Sequence, residues 1–496
     1  MGLYIRQVYG CCLVLLWAAS NGWTQGADQR LLEAVKAGDF ATAEAFLLQG
    51  TDVDAAQPDG ATALHWAVYH DALVTADMLI SAGADVDATN DYGVTPLALA
   101  CENGSAAMVS RLLEAEPNPE LRRNSSETPL MTCARTGNVE AVTALLVHGA
   151  EPNAVESWQG QTALMWAVGE GHAKVAKILI ERGADVRVRS KGGFSAILIG
   201  ARQNDPGLAR LLIDAGANVN DQAPDGSSPL LVATVRGHAA LAIALLELGA
   251  DPNTTEAGYT ALHWVAGSWH TELTGPRGIA REREEEWRSL NGLQNRKLDL
   301  VEALLAYGAD PQARLVGSPP QFGFASGRFR VSMVGATPFL LAAMDANVEV
   351  MQALAAAGAD PLLGTEEGTT PLMVAAGLGQ VPAESRVGAP DSFHAVELVL
   401  ALGASVNLTN QRGRTALHGA AHIRSDSIVQ LLVDQGAQVN VEDDRGVTPL
   451  MIAEGGGHIL LPGLGGGSTA ELLRELGSRD VARDSFIENF SQGAIR

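Results

Sequence analysis

One landmark recurs along this chain at a nearly fixed interval: a Thr or Ser, then Pro or Ala, then a large apolar residue. It falls at Thr62, Thr95, Thr128, Thr162, Ser195, Ser228, Thr260, Thr337, Thr370, Thr415 and Thr448. Most steps are 32 to 34 residues; the exceptions are 77, from Thr260 to Thr337, and 45, from Thr370 to Thr415. A fixed period of this size means a stack of similar units, none of which buries its apolar surface alone. The 496 residues therefore extend a line of units and do not enclose one large core.

Each unit reads in the same order. The Thr or Ser is placed to cap a helix, and Pro at the next position loses nothing because its missing N–H would have had no partner there. Small and apolar residues follow on one face, as at Leu97 and Ala100. A second apolar stretch, such as Val142, Leu145 and Leu146, makes the return helix, and Gly149 ends it in a left-handed conformation. The connector that follows, ADVDATNDYGV at 84–94, is rich in turn formers.

Four segments, DYGVTPLALA (91–100), QGQTALMWAVGEGH (159–172), DGSSPLLVATVRGH (225–238) and RGRTALHGAA (412–421), together with the repeated GAD and GAN caps, resemble the ankyrin repeat family. The resemblance covers roughly residues 28–477, and within the family the chain looks most like exported bacterial ankyrin repeat-containing proteins. It implies an all-α repeat solenoid with short β-hairpin fingers, about eleven repeats long, behind an N-terminal capping repeat at 28–58. The array is expected over 59–477, with a polar tail at 478–496. It also implies a structural role for His65, His263 and His418, which would bridge neighbouring units through hydrogen bonds, with Trp66, Trp166 and Trp264 one position later on the same helix.

The first residues read differently. Arg6 precedes the apolar run from Gly10 to Ala19, which is too short to span a bilayer, and small residues follow. That pattern predicts a signal peptide within 1–27, cleaved between 20 and 27, and a protein exported to the periplasm or the medium. The formal net charge is −23, which disfavours nucleic acid and anionic membranes as partners. Cys101 and Cys133 would remain after cleavage. With neighbouring helices ~8–10 Å apart and a disulfide needing Cα atoms within about 7 Å, both are expected as buried free thiols.

Insertions near 271–297, 314–335, 380–393 and 455–467 interrupt the array, all after residue 260. The second is basic and aromatic: no acidic residue lies between Pro311 and Met344, while Arg314, Arg328 and Arg330 stand among Phe322, Phe324 and Phe329. No nucleophile motif, haem-attachment motif or paired-cysteine metal motif is present. His418 and His422, four apart on one helix, are weak metal candidates that lack a third ligand. No cofactor is expected.

The reading is a monomeric binding protein that recognises a protein partner through its concave face and finger tips. Tyr92, Trp158, Phe194, Tyr259, Arg328 and Arg330 are its expected anchors. The alternatives are an enzyme or metal-dependent protein with a site under the inserted loops, and a structural component of the cell envelope.

Overall fold

The capping chemistry appears as the sequence dictates. In the unit opened by Thr95, the hydroxyl accepts the Ala98 N–H at 3.1 Å, and Pro96 takes the first helical position. The inner helix Pro96–Asn103 ends at Gly104, left-handed at φ 67°. Ser105 then caps the outer helix Ala106–Leu113. The computed structural model describes residues 29–267, 296–317, 331–380, 389–455 and 467–479, and helix pairs of this kind follow one another throughout them. The proposed signal peptide, most of the tail, and Arg328 and Arg330 lie outside the described residues.

Each inner helix packs against its own outer helix and against the inner helices of the units before and after it. Apolar side chains from Leu31 to Leu473 consequently form one continuous buried cluster. Within the Thr95 unit, Leu97, Ala100, Met108, Val109 and Leu112 are all buried. Truncating one of the leucines to Ala would cost about 3 kcal/mol, because its neighbours on both sides lose contact. The first helices among the described residues are Arg30–Lys36 and Phe40–Leu48. Leu31, Leu32 and Val35 face inwards there, and Arg30 and Lys36 face water.

Three rows of hydrogen bonds tie the units together. The first runs along the finger tips: Asp91 N–H donates to Asp59 O (2.8 Å), Asn124 to Tyr92 O (3.1 Å), and Lys191 to Gln159 O (2.7 Å). The second follows the helix-ending glycines. Asn153 donates to Gly183 O at 2.9 Å and accepts from Asp185 N–H at 2.7 Å. Asn253 makes the same clamp to Gly308 and Asp310, so the register survives an insertion between them. The third lies on the helix-turn edge, where Asn103 donates to Val68 O, Asn138 to Gly104 O and His172 to Arg135 O.

Two expectations need correction. The fingers are not β-hairpins: among the described residues the only bridges are the isolated antiparallel pairs Ala56↔Thr62 and Arg189↔Ser195. Pairing stops there because Thr62 and Ser195 are already helix caps, and most neighbouring finger tips are joined by one or two backbone bonds. The cysteines are not free thiols either. Cys101 and Cys133 form a disulfide with Cα atoms 4.6 Å apart. The distance between helix axes misleads here. Residues that face each other across two inner helices lie closer than the axes do, and small neighbours such as Ala100 and Ala134 leave nothing between them.

The basic insertion also closes on its own array at the base. Leu315 N–H donates to Ala336 O and Gly335 N–H donates to Leu315 O. Arg314 donates to the carbonyls of Gly335 and Gly364, both at 2.6 Å, so this arginine staples two fingers.

Candidate functional site

Two surfaces present side chains in register. On the inner helices of the first seven units, Thr132 excepted, the residue four after the capping Thr or Ser is part-exposed, whereas Leu341, Val374, Gly419 and Ile452 at the same position further on are buried. In those seven units the residue is Trp66, Leu99, Thr132, Trp166, Ile199, Val232 and Trp264. Thr132 is buried and returns its hydroxyl to Thr128 O; the other six are half-buried. They make an apolar stripe crossed by polar ends, with Lys36 over the Trp66 ring and Arg135 over the Trp166 ring.

A histidine three residues after the capping Thr, which precedes Trp66 and Trp264 but not Trp166, explains part of the repeated motif. Thr62 N–H donates to His65 Nδ1 at 3.2 Å, which leaves Nε2–H to donate to Val94 O, in the next finger, at 3.0 Å. His263 does the same to Ala313 O, with a longer bond to Ala336 O, and His418 to Val447 O. Burial depresses all three imidazoles, His263 to about 4, and the bonds to carbonyl oxygens offset this only in part. They are neutral latches between units. Both His418 nitrogens are therefore engaged, and His422 Nε2 donates to Gln380 O at 2.9 Å, so neither ring is presented as a ligand. Among the described residues no cluster of three or more His, Cys, Asp or Glu has metal-holding geometry.

The second surface is the finger edge. Tyr92 (69% exposed), Trp158 (80%) and Phe194 (44%) stand out from it as expected. Tyr259 does not: it is buried against the Trp264 ring, with centroids 5.8 Å apart, and burial raises its hydroxyl above the usual phenol range. The finger of Tyr259 abuts the base of the inserted loop, where Val316 and Gly317 donate to Gly258 O, and this covers the side chain.

Sequence reasoning missed Glu156, which holds Trp158 out. Its carboxylate lies under the finger and accepts the N–H groups of Trp158 (2.5 Å), Gln159 and Gln161 (both 2.8 Å). Burial works to raise this carboxyl, but the backbone bonds from Gln161, Gln159 and Trp158 outweigh it and hold it below the usual range. Asn90, Asn410 and Asp443 each stand five residues before a capping Thr and accept their own finger's N–H groups in the same way; Glu156 stands six before Thr162, one residue out of that register.

The enzyme alternative places its site beneath the inserted loops. The cleft found at that edge is shallow and lined by Asp345, Asn347, Val348, Glu349, Asp391 and His394. Lys297 pairs with Asp345 there. Three carboxylates and one imidazole line the cleft, and no Ser, Thr or Cys does among the described residues.

The family described as Ankyrin repeats (3 copies) matches residues 31–123, 112–190, 197–273 and 388–461, together more than half of the chain. The chain belongs to the ankyrin repeat family. Among curated proteins it is similar to Ankyrin repeat domain-containing protein 63 of Mus musculus and of Homo sapiens, at 42% and 41% identity over 93 residues. Those matches cover 19% of this chain and 22% of each relative, so the chain spans about a fifth of their length. Among solved structures, the human ASB11 ankyrin repeat domain matches 45% of this chain and 98% of its own at 27% identity, with a TM-score of 0.40. Ankyrin repeats serve in general as protein-interaction modules, which suggests an interaction role for this chain. No helix among the described residues is long and apolar enough to cross a membrane.

Proposed function

We propose that this is an exported bacterial ankyrin-repeat protein, an array of about eleven repeats behind a capping unit. It recognises a protein partner through the inner-helix stripe and the finger tips, with Tyr92, Trp158 and Phe194 as tip anchors. One observation carries the reading: Trp158 is 80% exposed on a finger that Glu156 holds open from beneath with three backbone hydrogen bonds. A large aromatic side chain held out in water has little to do for the fold, and such side chains dominate the energy of protein interfaces. Arg328 and Arg330, outside the described residues, belong to the proposal as further anchors. Export rests on the apolar run at 10–19 and on the Cys101–Cys133 disulfide, a bond that persists in oxidising compartments.

The test uses the array to capture a partner from the exported fraction of cells that make it, then measures the affinity of that partner directly. Trp158→Ala should weaken binding by at least about tenfold, with melting unchanged. Unchanged affinity in Trp158→Ala, Tyr92→Ala and Phe194→Ala alike removes the fingers from the account. Export is checked separately by the mass of the mature N-terminus, which should begin between residues 21 and 28.

A further inference from the structure

Arg135 and Trp166 stand out on the inner-helix stripe. The Arg135 guanidinium lies 5.3 Å from the Trp166 ring centroid. Its Nε is buried and has no hydrogen-bond partner, and the Trp166 indole Nε1 beside it is in the same state. Among the described residues Arg135 makes no ion pair, in a chain whose net charge is −23. Glu102, in the unit before, is taken by Arg123 at 2.6 Å. Buried donors without acceptors are rare, because each forfeits its hydration without replacement.

We infer that Arg135 and Trp166 form a carboxylate-binding anchor on the inner-helix face, for an acidic side chain of a partner segment whose apolar neighbours lie on Leu99 and Ile199. This rests on the proposed recognition role and deepens it by naming the partner's chemistry. Charge complementarity selects the occupant. A planar guanidinium presents two parallel donors to a carboxylate, and stacking on the indole already fixes its plane. Leu99 and Ile199, half-buried on either side, offer the apolar contact.

The probe is a capped heptapeptide with two glutamates among leucines and alanines, set against its glutamine counterpart. Binding to the full chain is read from the indole N–H resonances of ¹⁵N-labelled tryptophan, with Trp166 assigned by its loss in Trp166→Phe. The Trp166 resonance should move saturably with the glutamate peptide, at an affinity about tenfold above that for the glutamine peptide. Arg135→Gln should abolish that preference, and Arg135→Lys should keep part of it, which covers the case in which the Gln variant folds poorly. Equal affinity for the two peptides, a preference that survives in Arg135→Gln, or shifts confined to other indoles would each overturn the anchor. Those results would leave the finger reading standing, since it depends on Trp158 and not on Arg135.

Discussion

GATALHWAV at 60–68 and GQTALMWAV at 160–168 are nearly the same words, yet the array puts them to different uses. Trp66 is closed: its indole donates to Gln57 at 3.3 Å, and Trp66 packs edge-on against Tyr69. Trp166 is open, its N–H without an acceptor. The difference traces to one residue in each finger. Gln57 reaches down to the indole, whereas both oxygens of Glu156 are spent on the N–H groups of the finger that displays Trp158. A repeat fixes where a side chain stands. Its neighbours decide whether that side chain serves the fold or the surface.

The comparison can be broken at several points. The Cys101–Cys133 disulfide joins the two units that separate these copies, closing a span of 32 residues. Replacing both cysteines by Ala should cost about 3–4 kcal/mol, read from denaturant unfolding of the oxidised protein and the variant. Because contacts in a repeat array are local, the Trp66 end should then unfold at lower denaturant than the Trp166 end. A single transition with an unchanged midpoint would refute the staple.

Acid separates the copies next. The His-bearing units hold imidazoles whose folded pKa is depressed from 6.5, to about 4 at His263, while Met165 occupies that position in the open copy. Above pH 6.5 neither the folded nor the unfolded state is protonated, and the stability is complete. As pH falls below 6.5 the unfolded chain takes up protons first, so stability is lost down to about pH 4. His263 alone accounts for about 3 kcal/mol of that loss. A His263→Met variant should show a flatter profile of stability against pH; an unaltered slope would contradict the latch.

The tryptophans themselves give a smaller contrast. Trp66→Phe should destabilise by about 1 kcal/mol through the lost bond to Gln57, whereas Trp166→Phe loses no bond and should be neutral or slightly stabilising. Equal losses in thermal melts would mean the two indoles do the same work. Smallest is Glu116, at φ 56° where other units carry Gly83 and Gly149. Glu116→Gly should raise stability by about 0.5–1 kcal/mol by relieving a left-handed backbone, and a loss would show that the side chain holds the turn.

Much of this was legible beforehand. Period, caps and glycines set out the helix pairs, since each rests on residues a few positions apart. The histidine bridges between units were also expected, from the resemblance to ankyrin repeats; the bond back to the helix cap was not. Contacts between units were harder to read. The Cys101–Cys133 approach depends on small residues facing each other across two helices, and the covering of Tyr259 depends on an insertion that begins some 55 residues further on. The partnerless state of Trp166 is set by Glu156, which from sequence alone looks like one more finger acid.

Hydrogen exchange of the array with and without its captured partner bears most directly on the claim that inner helices and fingers are the working surface. The account predicts slowed exchange in the fingers at 90–94, 156–160 and 190–194 and in the inner helix Ala163–Gly169, with outer helices such as Leu73–Ser81 and Ala106–Leu113 unchanged. Protection confined to the outer helices would contradict it.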